Sequence, residues 1–412
     1  MTLPRFIQIH SLASYPAALI NRDDAGMAKR LPFGGSTRTR ISSQSLKRHW
    51  RFAGEADHVA AQRVPFSLQS LGRPMGERTK EVVQGAILPR ALEGLTVHPA
   101  VQAAVADALL VALYGDKGKD AKSRQALFFG HPEIDYLVQQ ARALLEIGQA
   151  SVAGLAADSK PNKAQEKALA EALKDALQDL RKNLRALGAA AAGLESALFG
   201  RMVTSDPAAN RDAPVHVAHA FTVHAMERDL DFATAVDDLR NRDPEADAGS
   251  AGMFDVELTS GLFYGYVNID VGLLVANLGG DAALAGQVAG RLLQLVARVS
   301  PGAKKGSTAP FAHAEWLLVE LGDDQPRTLA NAFRKAVPLP RDGGGDDVFA
   351  GAMAVLQTHL QQLDAAYGVQ TQRRQMSVTP PALADIAQLP LGGLVDWLQT
   401  EVGSPVAAKP EA

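Results

Sequence analysis

The chain has 412 residues, enough for one large domain or two to three smaller ones; its 47% apolar and 21% charged residues are the mix of a folded globular protein. It contains no cysteine, which excludes disulfides and thiolate metal sites and fits a reducing compartment. A net charge of −3 excludes a surface that coats nucleic acid everywhere, yet leaves room for one basic groove. The opening MTLPRFIQIH lacks the apolar core and small-residue cleavage site of a signal peptide, and the apolar run near GLLVANLGG is too short to span a bilayer. A cytoplasmic protein with no membrane partner is expected.

Phe6 to His10 alternate and predict a strand. Residues 21–51, NRDDAGMAKRLPFGGSTRTRISSQSLKRHWR, then carry eight Lys or Arg and two Asp, a local +6, whereas the rest of the chain carries 34 basic and 43 acidic residues. Gly26, Pro32, Gly34 and Gly35 predict loop with short extended pieces from Asn21 to Arg40, and the glycines of PFGGS permit close approach to another backbone. Ser42 to about Ala56 predicts a helix capped by Ser42 or Ser43. Leu46, Trp50 and Ala53 fall on one face, and Gln44, Lys47, Arg48 and Arg51 on the other. From about 60 to 200 the patterns are helical, clearest in PNKAQEKALAEALKDALQDLRKNLRAL, and read as an inserted helical subdomain.

At Val215 the period changes. VHVAHAFTV, SGLFYGYVNI and AEWLLVEL predict strands, and the polar segment between the first two reads as a projecting arm. Residues 281–299 and 328–337 predict helices; Gly343 to Gly345 predict a flexible loop, and the tail from Gly403 disorder. The order predicts an α+β fold with helices on one face of an antiparallel sheet, a ferredoxin-like or RRM-like core being the simplest candidate.

The first turn of the Ser42 helix holds no carboxylate, and three cations, Lys47, Arg48 and Arg51, follow within two turns. Such a helix start suits an anion, and a phosphate chain meets both features. The plainer alternative is a basic helix facing acids elsewhere in the protein. The loop PGAKKGSTAPF, with Lys304 and Lys305, is a weaker basic candidate. His216 and His224 share a strand face but stand roughly 27 Å apart along an extended chain, and His219 faces the other way, so these histidines read as structural. No phosphate-binding glycine loop, zinc-protease motif or nucleophile elbow occurs, and no cofactor or metal is implied. Asp23 and Asp24 are adjacent in a loop, where such acids are more often structural than metal-binding.

These residues resemble a known family. NRDD, FGG and RISSQSLKR, followed in order by GRM at 200–202, AHA at 218–220, TAVDDL at 234–239, NLGG at 277–280, PGAK at 301–304 and LANAFRKAV at 329–337, resemble the CasC-type backbone subunit of the type I-E CRISPR surveillance complex, Cascade. The resemblance implies a right-hand shape: an RRM-like palm at 1–58 and 191–412, helical fingers at 59–190, and a thumb at about 226–260. It implies copies stacked head to tail along a CRISPR RNA, holding the guide for pairing with target DNA beside other Cascade subunits, without catalysis. It carries the RNA contacts onto Arg22, Lys29, Ser42, Gln44, Lys47, Arg48, Arg51 and Lys304. Met202 would press on a base near a kink, with Phe232 and Thr234 in the thumb; Ala233 stands where a second bulky aromatic is expected. Two other readings stay open: a metal-dependent RNA-cleaving backbone subunit using Asp23 or Asp24, as in related type III complexes, and a protein adaptor indifferent to RNA.

Overall fold

A computed structural model describes residues 3–55, 62–156, 159–178, 180–187, 189–235, 252–340 and 347–403. In chain order its elements begin with β1 (Phe6–Ala18), β2 (Arg30–Phe33), β3 (Ser36–Ile41) and α1 (Ser43–Arg51). A helical stretch follows: β4 (Gly76–Thr79), α2 (Leu88–Ala91), α3 (Pro99–Tyr114), β5 (Leu127–Gly130), α4 (His131–Ser151), α5 (Lys163–Ala176), α6 (Leu180–Ala186) and α7 (Leu194–Phe199). Then come β6 (Val215–Val217), β7 (Ala220–Thr222), β8 (Glu227–Ala235), β9 (Gly252–Asp270), α8 (Val271–Asn277), α9 (Ala282–Arg298) and α10 (Lys305–Thr308). The chain ends through β10 (Trp316–Gly322), α11 (Val348–Tyr367), β11 (Gln372–Ser377) and α12 (Leu391–Gly403). Contacts divide these elements into two units: a sheet unit of residues 1–71, 215–272 and 282–412, and a helical unit of 72–214 and 273–281.

The sheet unit is a mixed α+β structure. Its antiparallel sheet runs β11-β10-β1-β9-β7-β3-β2, with β6 and β8 also pairing with β9. Helices cover both faces, not the one expected. Leu12, Leu262, Tyr264, Trp316 and Leu318 meet Phe349, Met353, Leu356 and Leu360 of α11. Their neighbours on the opposite face, Tyr15, Ile41, Ala220 and Phe263, pack with Leu46 of α1. The sequence pattern predicts no strand or helix in 348–403, which supplies α11, β11 and α12. Phe263 and Tyr264 of β9 are 3% and 1% exposed, so they serve the core.

The projecting segment is a β-hairpin. β8 pairs residue by residue with the first half of β9, from Glu227↔Ser260 to Ala235↔Gly252, while the second half of β9 pairs with β1. The rest of the expected arm, 236–251, lies outside the described residues, as do the expected flexible loop at 343–345 and the tail beyond 403. The helix expected at 328–337 is only one 3₁₀ turn, Ala330–Phe333. Phe333 is wholly buried, and Val337 N–H donates to Val223 O at 3.0 Å, which holds the following chain extended.

In the helical unit, Val101, Val105 and Leu109 of α3 pack with Leu137, Ala141 and Leu144 of α4 and with Leu169 and Leu173 of α5. Asn162 starts α5 with a capping box: its Oδ1 accepts from Gln165 N at 2.9 Å, and Gln165 Oε1 accepts from Asn162 N at 3.0 Å. The long helical pattern breaks between α5 and α6, a break that periodicity does not show. Beyond it Leu180 enters the core and Arg181 donates to the Val111 and Ala112 carbonyls at the end of α3. A two-stranded pairing of β4 with β5 interrupts the expected run of helices.

Candidate nucleic-acid interface

The basic stretch folds into a closed loop, a hairpin and a helix start. Asp23 shuts the loop: its Oδ1 accepts from Met27 N at 2.9 Å, and its own N–H donates to Met27 O at 2.8 Å. Asp24 is exposed, and among the described residues no group of three His, Asp or Glu is placed to hold a metal. The closure returns the chain to Asn21, whose backbone oxygen accepts from Lys29 N at 2.8 Å and whose Oδ1 accepts from Ser42 N at 2.9 Å. Gly34 and Gly35 take φ of 58° and 79° between paired Phe33 and Ser36, as a two-residue hairpin turn requires. A Cβ on Gly34 would collide with the Arg334 carbonyl, so the close approach foreseen from PFGGS is present.

α1 starts at Ser42, whose Oγ accepts from Ser45 N at 3.3 Å, and it has no acid in its first turn. The Ser43 N–H is also engaged, donating to His219 Nδ1 at 3.0 Å. The expected open row of helix-start donors is therefore partly closed by a hydroxyl and an imidazole. His219 and His224 are structural, as expected: His224 Nε2 accepts from Leu262 N at 3.2 Å. Burial lowers the His219 pKa, and the cations of Arg40, Lys29 and Lys47 lower it further. The positive charges of Lys29 in the loop, Arg40 of β3 and Lys47 of α1 thus all act on one imidazole at the helix start.

The eight basic residues separate into different roles. Arg22 and Arg48 are exposed, as is Gln44; Lys29, Arg40 and Lys47 are half-buried. Arg30 pairs with the buried Glu257 carboxylate at 2.6 Å. Arg38 is fully buried and donates to the Thr222 and Phe333 carbonyls, each at 2.9 Å, with its pKa lowered by burial. Arg51 is a correction. The helical wheel puts it on the open face with Lys47, but it is 7% exposed, its guanidinium over the Phe52 ring. The cause lies outside the helix: the chain returns across its last turn, where Gln69 Nε2 donates to Arg51 O at 2.6 Å. Trp50 and Ala53 are buried, as the face analysis predicts, and Leu46 is half-buried.

Lys304 is half-buried at the start of α10, in a loop anchored where Ala303 N–H donates to Leu19 O at 3.0 Å, two residues before Asn21. Phe232 is 62% exposed on β8, with Leu230 at 57% on the same side, and Thr234 lies opposite Met253 in the ladder. Met202 belongs to the helical unit and is 66% exposed.

The sequence does not reveal that Arg40, His219 and Glu257 belong to this region. Glu257 Oε2 accepts from Ala28 N at 2.7 Å, and its Oε1 meets Arg30 and, at 3.4 Å, Arg228. One carboxylate therefore ties the basic loop to the base of the hairpin. Its available signal is a lone acid in the alternating VELTSGLF.

The family described as CT1975-like protein matches residues 7–396. A chain of a "CRISPR RNA-guided surveillance complex, pre-nicking" is similar at 26% identity and a TM-score of 0.74, covering 96% of this chain and 100% of that one. A chain of a "CRISPR RNA-guided surveillance complex" shares the fold at 22% identity and a TM-score of 0.63, over 95% and 99% of the two chains. No curated protein matches this sequence. The chain belongs to the CT1975-like family, as a CasC-type backbone subunit.

Proposed function

We propose that this chain is a non-catalytic scaffold that binds CRISPR RNA along its backbone and assembles in several copies to present the guide to target DNA. The observation that carries the reading is a helix start whose first turn has no carboxylate, with the charges of Lys29, Arg40 and Lys47 all felt at the His219 imidazole that accepts from it. Cations and backbone donors recognise phosphates and not bases, so binding is independent of guide sequence, which is read by pairing. The sheet unit serves as an RRM-like palm, the helical unit as fingers, and the β8–β9 hairpin as a thumb. Arg22, Lys29, Ser42, Gln44, Lys47, Arg48 and Lys304 line the RNA path, while Met202, Phe232 and Thr234 shape the kink. Arg51 holds the helix in place from beneath. Asp23 acts by closing its loop, which argues against the RNA-cleaving alternative.

The test mixes purified protein with single-stranded RNA of unrelated sequences and follows sedimentation. Multi-copy complexes on every RNA, with the RNA intact in the presence of Mg²⁺, are expected. A monomer indifferent to RNA supports the adaptor reading and overturns this one; cleavage lost in Asp24→Ala supports the nuclease.

A further inference from the structure

Phe311 is 63% exposed, on a loop whose backbone is held on both sides of it. After it, Ala312 N–H donates to Ser300 Oγ at 2.9 Å, and Ser300 Oγ donates to Ala312 O at 2.8 Å. Before it, Pro310 is buried, and Phe311 N–H donates to Ala309 O at 2.7 Å, closing a three-residue turn. Ala309 takes a left-handed φ of 40°, which is unfavourable for a residue with a Cβ. The loop thus accepts strain, buries Pro310 and leaves the neighbouring ring in water, where it contributes nothing to the fold. Two anchors set this ring beside the basic stretch, within the same sheet unit. Ala303 N–H donates to Leu19 O at 3.0 Å. Ala312 packs against the cluster that contains Ile20 and Ile41, the residues immediately before Asn21 and Ser42. The loop also carries Lys304 and Lys305, and Lys305 Nζ is buried with no hydrogen-bond partner among the described residues.

We propose that Phe311 is a stacking platform for a base of the bound RNA, a role that rests on the scaffold reading above. Cations hold the phosphates of a strand but leave the apolar faces of its bases in water, and a fixed ring beside them covers one such face. Every base has a π-face, so the ring adds affinity without reading sequence, in keeping with a guide of any sequence. A ring flanked by two lysines suits a polyanion with apolar bases better than an apolar patch on another protein chain, which would gain nothing from the lysines.

The experiment measures single-stranded RNA binding by anisotropy at several salt concentrations, for the full chain and for Phe311→Ala, Phe311→Leu and Phe311→Trp. Because the ring is exposed, all three variants should keep the melting temperature; a clear drop in Phe311→Ala would assign the ring to the fold and overturn the proposal. Phe311→Ala should bind about 5- to 100-fold more weakly at every salt concentration. The slope of log K against log salt should stay the same, since a neutral ring releases no counterions. Phe311→Leu, apolar but without a π-face, should be as weak as Phe311→Ala. Phe311→Trp should keep its affinity and show fluorescence quenching by RNA beyond that of the unaltered chain. Full affinity in Phe311→Leu, or self-association without RNA that is lost in Phe311→Ala while RNA affinity stays unchanged, would identify an apolar contact with another chain and overturn the proposal. Equal RNA affinity in all four proteins would overturn it too, leaving the scaffold reading in place. A chain that binds no RNA in any of the four forms overturns both.

Discussion

Replacing Lys29, Arg40 and Lys47 together by Gln removes the cations whose charge acts on His219 while leaving the α1 cap at Ser42 intact. If each meets one phosphate, the triple variant gives up three contacts. On single strands each contact contributes about −0.7 to the slope of log K against log salt, so the slope should become shallower by about 2. With the two proteins converging near 1 M salt, that slope difference makes the variant weaker by about 100-fold at 0.1 M. Fluorescence anisotropy with two unrelated RNAs across a salt series measures both quantities, and the loss should be the same for both sequences. A second readout is internal: with the cations gone, the His219 pKa rises, measurable by imidazole NMR. Equal salt slopes in the two proteins, together with the upward move of His219, would show that the cluster exists but meets no phosphate.

Arg38→Met should act in the opposite way. It leaves two buried carbonyls without their donor, costing about 2–4 kcal/mol of stability with the salt slope unchanged, checked by denaturant unfolding beside anisotropy. Gly34→Ala should destabilise by more than about 1 kcal/mol, because it meets both a left-handed φ and the Arg334 carbonyl; urea unfolding measures it. Stability should fall on acidification. Burial lowers the His10 pKa against the pull of its Glu320 hydrogen bond; burial raises Glu320, but His10, Arg327 and Arg373 outweigh it and hold the carboxyl well below its usual range. Both groups bind protons more readily when unfolded, so their contributions are complete above their unfolded pKa values. They are lost as pH drops below about 6.5 for His10 and about 4.3 for Glu320, at up to about 1.4 kcal/mol per pH unit per proton. Thermal unfolding from pH 8 to 4 tests this, and His10→Gln should flatten the upper part of that dependence.

The strands at Phe6, Val215 and Trp316 and the α1 and α9 helices are legible because alternation or a 3.6 period reports burial on one face. The Gly34–Gly35 turn is legible because its conformation needs glycine. The charge excess at 21–51 is legible as an anomaly but not as a site. Arg38, Arg51 and Arg48 look alike in the sequence, and what separates them is distant chain: β7 and Phe333 around Arg38, and Gln69 across Arg51. The cluster around His219 is likewise assembled from residues over 170 positions apart, as is the clamp at Glu257. The break between α5 and α6 is invisible locally because it answers the carbonyls of α3.

β9 runs without interruption for 19 residues, belonging first to the hairpin and then to the sheet. Since successive side chains alternate, the two halves share a single phase. One residue inserted near Gly261 would shift that phase between them. The sheet would keep its core residues, but the hairpin would turn over, moving the side that now exposes Leu230 and Phe232 to the other face. A change of length between the two strands, by contrast, would leave that phase untouched.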